Sequence, residues 1–324
     1  RLFKKTRSSW VDYNKNLISK GGGIFERSAK FINLSPEIKK RFDIPKDRVT
    51  PNELIRSLLE AKTDLLWFGG IGTYVKQSTE SHLDVGDRAN DAIRIDAKQL
   101  NAKVVGEGAN LGLTQSARIE AALNGVRLFA DSIDNSAGVD CSDHEVNIKI
   151  LIDQVVNSGG LSRNERNLLL AKMTKEVGLQ VLVDNYDQTK AIYTILYQGM
   201  SIFDNQVRLM RFLEKEGKLS RKIEFLPDDE LLVDRSASKS GLKSPEIAIL
   251  MSYAKIWVNE ELLASDLPDD PALQDDLIMY FPVPLRKKYK KEILNHRLSR
   301  EIIATQATNS IINQVGGAFI NLLI

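Results

Sequence analysis

The sequence predicts an α/β half followed by an all-α half: a partial parallel sheet, then a helical domain. Three observations carry this. Before about residue 150, short apolar runs each end in a glycine loop. Those runs alternate with segments of helical period, the pattern of βαβ units and a parallel sheet. Beyond that point long segments of 3.6-residue period dominate. The expected domains are residues 1–148 and 149–324.

Thr50-Pro51-Asn52-Glu53 joins a capping threonine, a proline at the first helical position and a glutamate at the third, so a helix starts there. Leu54, Ile55, Leu58 and Leu59 form its apolar stripe. Asp64-Leu65-Leu66-Trp67-Phe68, stopped by Gly69-Gly70, reads as a buried strand. Ala102-Lys103-Val104-Val105, stopped by Gly106-Glu107-Gly108, is a second. Ile119, Ala122 and Leu123 then make a helical stripe closed by Gly125. Val126-Arg127-Leu128-Phe129-Ala130 is a third expected strand. Three strands make half of a doubly wound domain. In the second half, Ser162-Arg163-Asn164-Glu165 is a capping box, and Ser244-Pro245-Glu246 opens a helix with Ile247, Leu250, Met251, Ala254, Trp257 and Val258 on one face. Pro282 and Pro284 interrupt the chain before a basic helix, and Ile302, Ile303, Ile311, Ile312 and Val315 mark the last one. Ser-Pro-Glu-Ile occurs at Ser35 and again at Ser244, which is helix-start grammar rather than duplication.

Composition narrows the function classes. The 324 residues are 43% hydrophobic and 27% charged, which excludes disorder, collagen and a disulfide-stapled miniprotein. Lys and Arg number 45 against 43 Asp and Glu, so the balance is not that of a nucleic-acid binder. Mean hydropathy is −0.23 and no apolar run approaches the ~18 residues of a membrane span. Cys141 is the single cysteine, which fits a reducing compartment. The chain starts at Arg1 with no apolar stretch of a signal peptide, and we expect it to be a piece of something longer. No Gly-Lys-Ser/Thr follows a glycine loop, which disfavours a P-loop NTPase.

Ligands of open α/β sheets bind beyond the carboxyl ends of the strands. Those ends are the loops at Gly69 to Thr73, Gly106 to Asn110, and Asp134 to Gly138, and they are expected to line one crevice. Tight turns are the plainer reading. Gly106-x-Gly108 followed by Asp131 imitates a dinucleotide fingerprint, but the third glycine, Gly112, comes one residue late. Asn135 to Asn147 is the densest polar segment, and Ser142-Asp143-His144-Glu145 is a capping box that would place Ser142 at a helix start. His144 with Asp143 and Glu145, and His82 with Glu80 and Asp84, sit at adjacent positions that diverge on a helix, so no metal site is expected. Cys141 reads as a small thiol, and the run Arg286, Lys287, Lys288, Lys290, Lys291 as a charged helix face.

Four long motifs resemble the large bacterial NAD-specific glutamate dehydrogenases: Asp64 to Lys76, Val85 to Ala92, Val104 to Gly112, and Asp134 to Asn147. The resemblance runs the whole chain and strengthens again from Arg297 to Thr305. It implies oxidative deamination of L-glutamate to 2-oxoglutarate and ammonia with hydride passing to NAD. Residues 1–148 would then be part of a Rossmann-like dinucleotide-binding domain and 149–324 a C-terminal helical domain. Asn110 and Asn135 would sit at the nicotinamide end of the cofactor, Ser142 would bind a substrate carboxylate, and Gly69, Gly70 and Ile71 would lie along the cofactor. On this basis Gly106 to Gly112 is the nicotinamide-side loop. The pyrophosphate loop and the catalytic lysines and aspartate are expected upstream, so the chain alone should not turn over. A cytoplasmic enzyme and a homo-oligomeric parent are expected, and the charge balance and hydropathy point to no nucleic-acid or membrane partner. The competing class is a non-catalytic helical module for assembly or regulation, with the sheet as scaffold.

Overall fold

A computed structural model describes residues 2–324. Backbone packing divides them into two units. The first holds residues up to 106 with 111–127, and the second holds 107–110 with 128–324. The expected boundary at 148/149 lies inside a helix of the second unit.

The first unit runs β1 (Ile32–Asn33), α1 (Pro36–Phe42), β2 (Arg48–Val49), α2 (Pro51–Leu59), β3 (Thr63–Phe68), β4 (Val75–Lys76), α3 (His82–Val85), β5 (Ile95–Asp96), β6 (Ala102–Glu107) and α4 (Gln115–Leu123). The start of α2 is as expected: Glu53 N–H donates to Thr50 Oγ1, and Thr50 N–H donates back to Glu53 Oε2 at 2.8 Å. β1 and β2 pair antiparallel, β4 and β5 pair parallel, and β3 pairs with β6. Small parallel pairs with helices, then helices alone, are the fold class the sequence predicts.

Two expectations change. The strand Asp64 to Phe68 forms but is not buried throughout. Alternation sends Leu65 and Trp67 to an open face, 54% and 58% exposed, while Phe68 turns inward and stacks on Tyr74 at 5.7 Å. Trp67 lies so close to β6 that a Cβ at Gly106 would sit 2.6 Å from its ring. The third strand shrinks to one parallel bridge between Val104 and Arg127. Arg127 exchanges backbone bonds with Lys103 and Val105, and the chain then leaves the ladder.

The second unit runs α5 (Asp131–Asp134), α6 (Ser136–Asn157), α7 (Arg163–Gln198), α8 (Phe203–Lys215), α9 (Asp229–Ala237), α10 (Ser244–Ala264), α11 (Gln274–Tyr280), α12 (Val283–Lys288), α13 (Lys290–Leu294) and α14 (Ser299–Val315). α6 and α7 form a hairpin. Arg166 near the start of α7 reaches Asp153 near the end of α6 at 3.0 Å, and Asn185 far along α7 reaches the start of α6. One apolar core gathers Ile192 of α7, Leu209 and Met210 of α8, Ala248 and Met251 of α10, and Ile312 of α14. A second gathers Leu151 and Ile152 of α6, Met173 of α7, Leu277 of α11, Leu285 of α12, and Ile302 and Ile303 of α14. The basic helix expected after Pro284 is two short helices. Buried Tyr289 breaks it, leaving helical geometry at φ −127°.

The expected helix start at Ser142 is also corrected. α6 begins six residues earlier, at Ser136, and Ser142 donates its hydroxyl to Gly138 O, one turn back. That is the bond of a mid-helix serine. Nothing from Ser136 to Cys141 forbids helix, so a box pattern cannot place the start by itself.

Where α9 meets α10, Arg235 Nη1 donates to Glu246 Oε2 at 2.7 Å. The side chains are 8% and 1% exposed. Glu246 also accepts the Lys243 N–H, which fixes the α10 entry. Removing one partner of a buried pair strands the other charge. Arg235→Ala should lower the unfolding free energy by about 3–5 kcal/mol in urea, and Arg235→Met with Glu246→Leu should recover most of it. A loss below about 1 kcal/mol for the single variant would show the pair is not desolvated as described.

Candidate functional site

The sequence-predicted residues fall into both units. In the first, Gly69, Gly70 and Ile71 form the loop after β3. All three are exposed, Ile71 at 91%, and a Cβ at Gly70 would meet nothing within 4 Å. The loop is open in front and fixed behind. Gly72 has φ +134°, and a Cβ there would strike Asn90 and Tyr74, so glycine is required. Tyr74 donates its hydroxyl to Ile71 O, and Thr73 N–H donates to Asp87 Oδ2 at 2.8 Å. Arg94, 2% exposed, ties the turn together. It donates to Thr73 O at 2.8 Å, Asp87 O at 2.5 Å and Asp91 Oδ1 at 2.6 Å.

In the second unit, Asn110 and Asn135 come together. Asp134 Oδ2 accepts the Glu107 N–H at 2.9 Å, which anchors the 107–110 segment to α5. Asn135 Nδ2 then donates to Asn110 Oδ1. Each asparagine keeps amide capacity beyond that single bond. They stand on a cleft of ≈ 620 Å³ that also takes in Asp140, Asp143, Asp184 and Tyr280. Asn185 fixes the floor by donating to Ile133 O at 2.8 Å and to Ser136 Oγ at 2.9 Å. Ser142 does not line this cleft. It stands on the exposed face of α6, two residues beyond Asp140.

The opposite wall is a polar seam. Tyr280 donates to Asp143 Oδ2 at 2.8 Å and accepts from Asn147 Nδ2 at 2.9 Å. Burial pushes its phenol well above the usual range, so it stays a donor. The ring of His144 stacks on Tyr280 at 4.4 Å. Leu298 N–H donates to His296 Nδ1, so the other ring nitrogen carries the proton and donates to Asn147 O at 3.1 Å. His296 is therefore neutral, in keeping with the downward push that burial gives it.

Asp140 of α6 and Asp184 of α7 face each other. Burial, and then the Asp140 carboxylate, raises Asp184 to about 6; burial also raises Asp140. Burial lowers His144, and draws Lys255 of α10 down to about 8 against the pull of Asp184. Sequence reading missed Asp184 and Tyr280. Neither lies near a motif, and they reach Asp140 and Asp143 only through helix packing. His82, Glu80 and Asp84 do not converge: Glu80 takes Thr114 and Asp84 caps Ser81, while His82 meets Arg94.

Comparison with known proteins bears on both units. Residues 1–195 match the family described as bacterial NAD-glutamate dehydrogenase, catalytic domain. Residues 239–324 match glutamate dehydrogenase, C-terminal. The chain is 52% identical over 327 aligned residues to the NAD-specific glutamate dehydrogenase of Halomonas elongata, covering 100% of this chain and 20% of that protein. It is 52% identical over 323 residues to the enzyme of that name from Pseudomonas aeruginosa, again covering 100% and 20%. It is 44% identical to that from Mycobacterium tuberculosis, covering 98% and 20%. The chain thus spans about a fifth of the length of these relatives. No helix among the described residues is long and apolar enough to cross a membrane.

The carboxylate pair makes stability depend on pH in an unusual direction. Asp184 titrates near 6 when folded and near the ordinary 3.8 when unfolded. Between those values the folded state holds the extra proton, so this group's contribution is full below about pH 4 and is lost as pH rises through 6. Asp184→Asn, unfolded by urea in the presence of EDTA, should be more stable than the parent at pH 7.5, by at most about 3 kcal/mol. At pH 4 the gain should vanish. An equal difference at both pH values would mean the carboxylate is not perturbed.

Proposed function

Because the chain belongs to the bacterial NAD-glutamate dehydrogenase family, we propose that it supplies the nicotinamide-side wall of an enzyme that deaminates L-glutamate oxidatively to 2-oxoglutarate and ammonia. The observation that carries this reading is the Asn135–Asn110 contact at the mouth of the cleft. Its two amides offer the donors and acceptors that a ribose hydroxyl or a carboxamide requires. Bound NAD would supply the hydride acceptor. Asn110 and Asn135 would orient its reactive end. Gly69, Gly70 and Ile71, open in front, would let a flat ligand approach the backbone. Ser142 would hold a substrate carboxylate from the α6 face.

We further infer that the chain does not turn over by itself. Glutamate carries two carboxylates, yet the cleft lining holds four aspartates and no lysine or arginine. Cationic groups for the substrate carboxylates would then come from the rest of the parent enzyme. The helical region favours an added role in assembly. α7 leaves Leu168, Leu179, Leu182, Tyr186 and Tyr197 exposed along its length.

In the full-length protein, Asn110→Ala and Asn135→Ala should each raise the KM for NAD by roughly tenfold, the scale of one lost polar bond, and leave the glutamate KM nearly unchanged. Ser142→Ala should do the reverse. Steady-state kinetics decides the matter. An unchanged NAD KM in both asparagine variants would remove them from the coenzyme site, and glutamate-dependent NADH formation by residues 1–324 alone would overturn the claim of incompleteness.

A further inference from the structure

We propose that Asp140, His144 and Asp184 form a binding site for a divalent first-row metal ion. Asp140 and His144 are four residues apart, so they share one face of α6. Asp184 meets them from α7. One ligand atom from each residue lies within 4.8 Å of the others. Donors on a common ion at 2.0–2.2 Å stand roughly 3–4 Å apart, so small rotamer adjustments close the site.

The histidine is the independent sign of a missing partner. His144 is 3% exposed, and its Nδ1 is buried with no hydrogen-bond partner. Its Nε2 stands 3.7 Å from Asp140 Oδ1, beyond hydrogen bonding. Buried polar atoms are nearly always satisfied, and a ring with neither nitrogen committed is poised for a ligand. Its orientation is already set. The ring stacks on Tyr280, whose hydroxyl is held by Asp143 and Asn147. The stacking holds the ring, although its Nδ1 makes no outer hydrogen bond.

The surrounding charge fits a cation. Asp131, Asp140, Asp143 and Asp184 line the cleft with no lysine or arginine among its residues, and Lys255 of α10 is a cation that acts on Asp184 from outside that lining. One imidazole nitrogen with two carboxylate oxygens suits Mn²⁺, Fe²⁺, Co²⁺ or Zn²⁺ better than the all-oxygen cages of Ca²⁺. Three protein ligands leave further coordination positions for water. The sequence reading expected no metal because it weighed only the neighbours of His144. The cluster skips those neighbours and uses the residue one turn back and a partner helix. A bound ion would tie α6 to α7 and offset the facing carboxylates.

The test uses the purified protein, stripped with EDTA, freed of chelator and titrated with Mn²⁺ without coenzyme or glutamate. Failure of the coenzyme reading therefore leaves the result intact. Electron paramagnetic resonance should count one tightly bound Mn²⁺ per chain, and electron spin-echo modulation should show coupling to an imidazole ¹⁴N. Asp184→Asn should weaken binding by roughly 10–100-fold, and His144→Gln should remove the nitrogen coupling. No stoichiometric binding at millimolar Mn²⁺ would overturn the proposal, and would leave Lys255 as the counter-ion of Asp184. Bound Mn²⁺ without nitrogen coupling would overturn it equally. The wild-type spectrum decides even if a variant fails to fold.

Discussion

The side chain of Asn185 sets the geometry on which the second unit's cleft depends. From the middle of α7 it grips both the Ile133 carbonyl and the Ser136 hydroxyl, the two groups that flank the turn into α6. This pins the register of the α6–α7 hairpin at its open end, as Arg166 and Asp153 pin it near the loop. With that register, Asp184 faces Asp140 one helical turn beyond the junction, and Asn135 points back to Asn110. A shift of one residue along α7 would turn Asp184 away by about 100° and empty the cluster.

Much of this was legible, and the remainder shows where sequence reasoning stops. Capping boxes at Thr50 and Ser162 act as written, because the reciprocal bonds are local. The same pattern at Ser142 misleads. There, tertiary contacts at Ser136 start the helix earlier than local grammar would. Strand β3 was legible as a strand from its apolar run, but its burial depends on what covers it, which no run of letters records. Asn110 and Asn135 each lie inside a motif, but their side-chain bond to one another joins two motifs and is written in neither. Asp184 sits in a helix of ordinary composition and gains its meaning only from the residues opposite it.

Polar groups inside the helical unit work as locators, each joining separate elements. Neutral His296 links the α13–α14 corner to α6, and Tyr280 links α11 to α6. Arg235 joins α9 to the start of α10, and Ser244 donates to Leu128 O at 2.6 Å, closing that start onto the segment before α5. Apolar packing alone tolerates sliding between helices. Directional bonds at these four points select one arrangement.

The 36 residues of α7 have a mechanical consequence. At 1.5 Å per residue the helix is about 54 Å long. Its first half beds Met173 in one apolar core, and its second half beds Ile192 in the other. Asp184 lies along the span between these footings. A stiff rod cemented at both ends transmits bending rather than absorbing it, so loosening either footing is felt at the midpoint. Two cores joined in this way are expected to melt as one cooperative block.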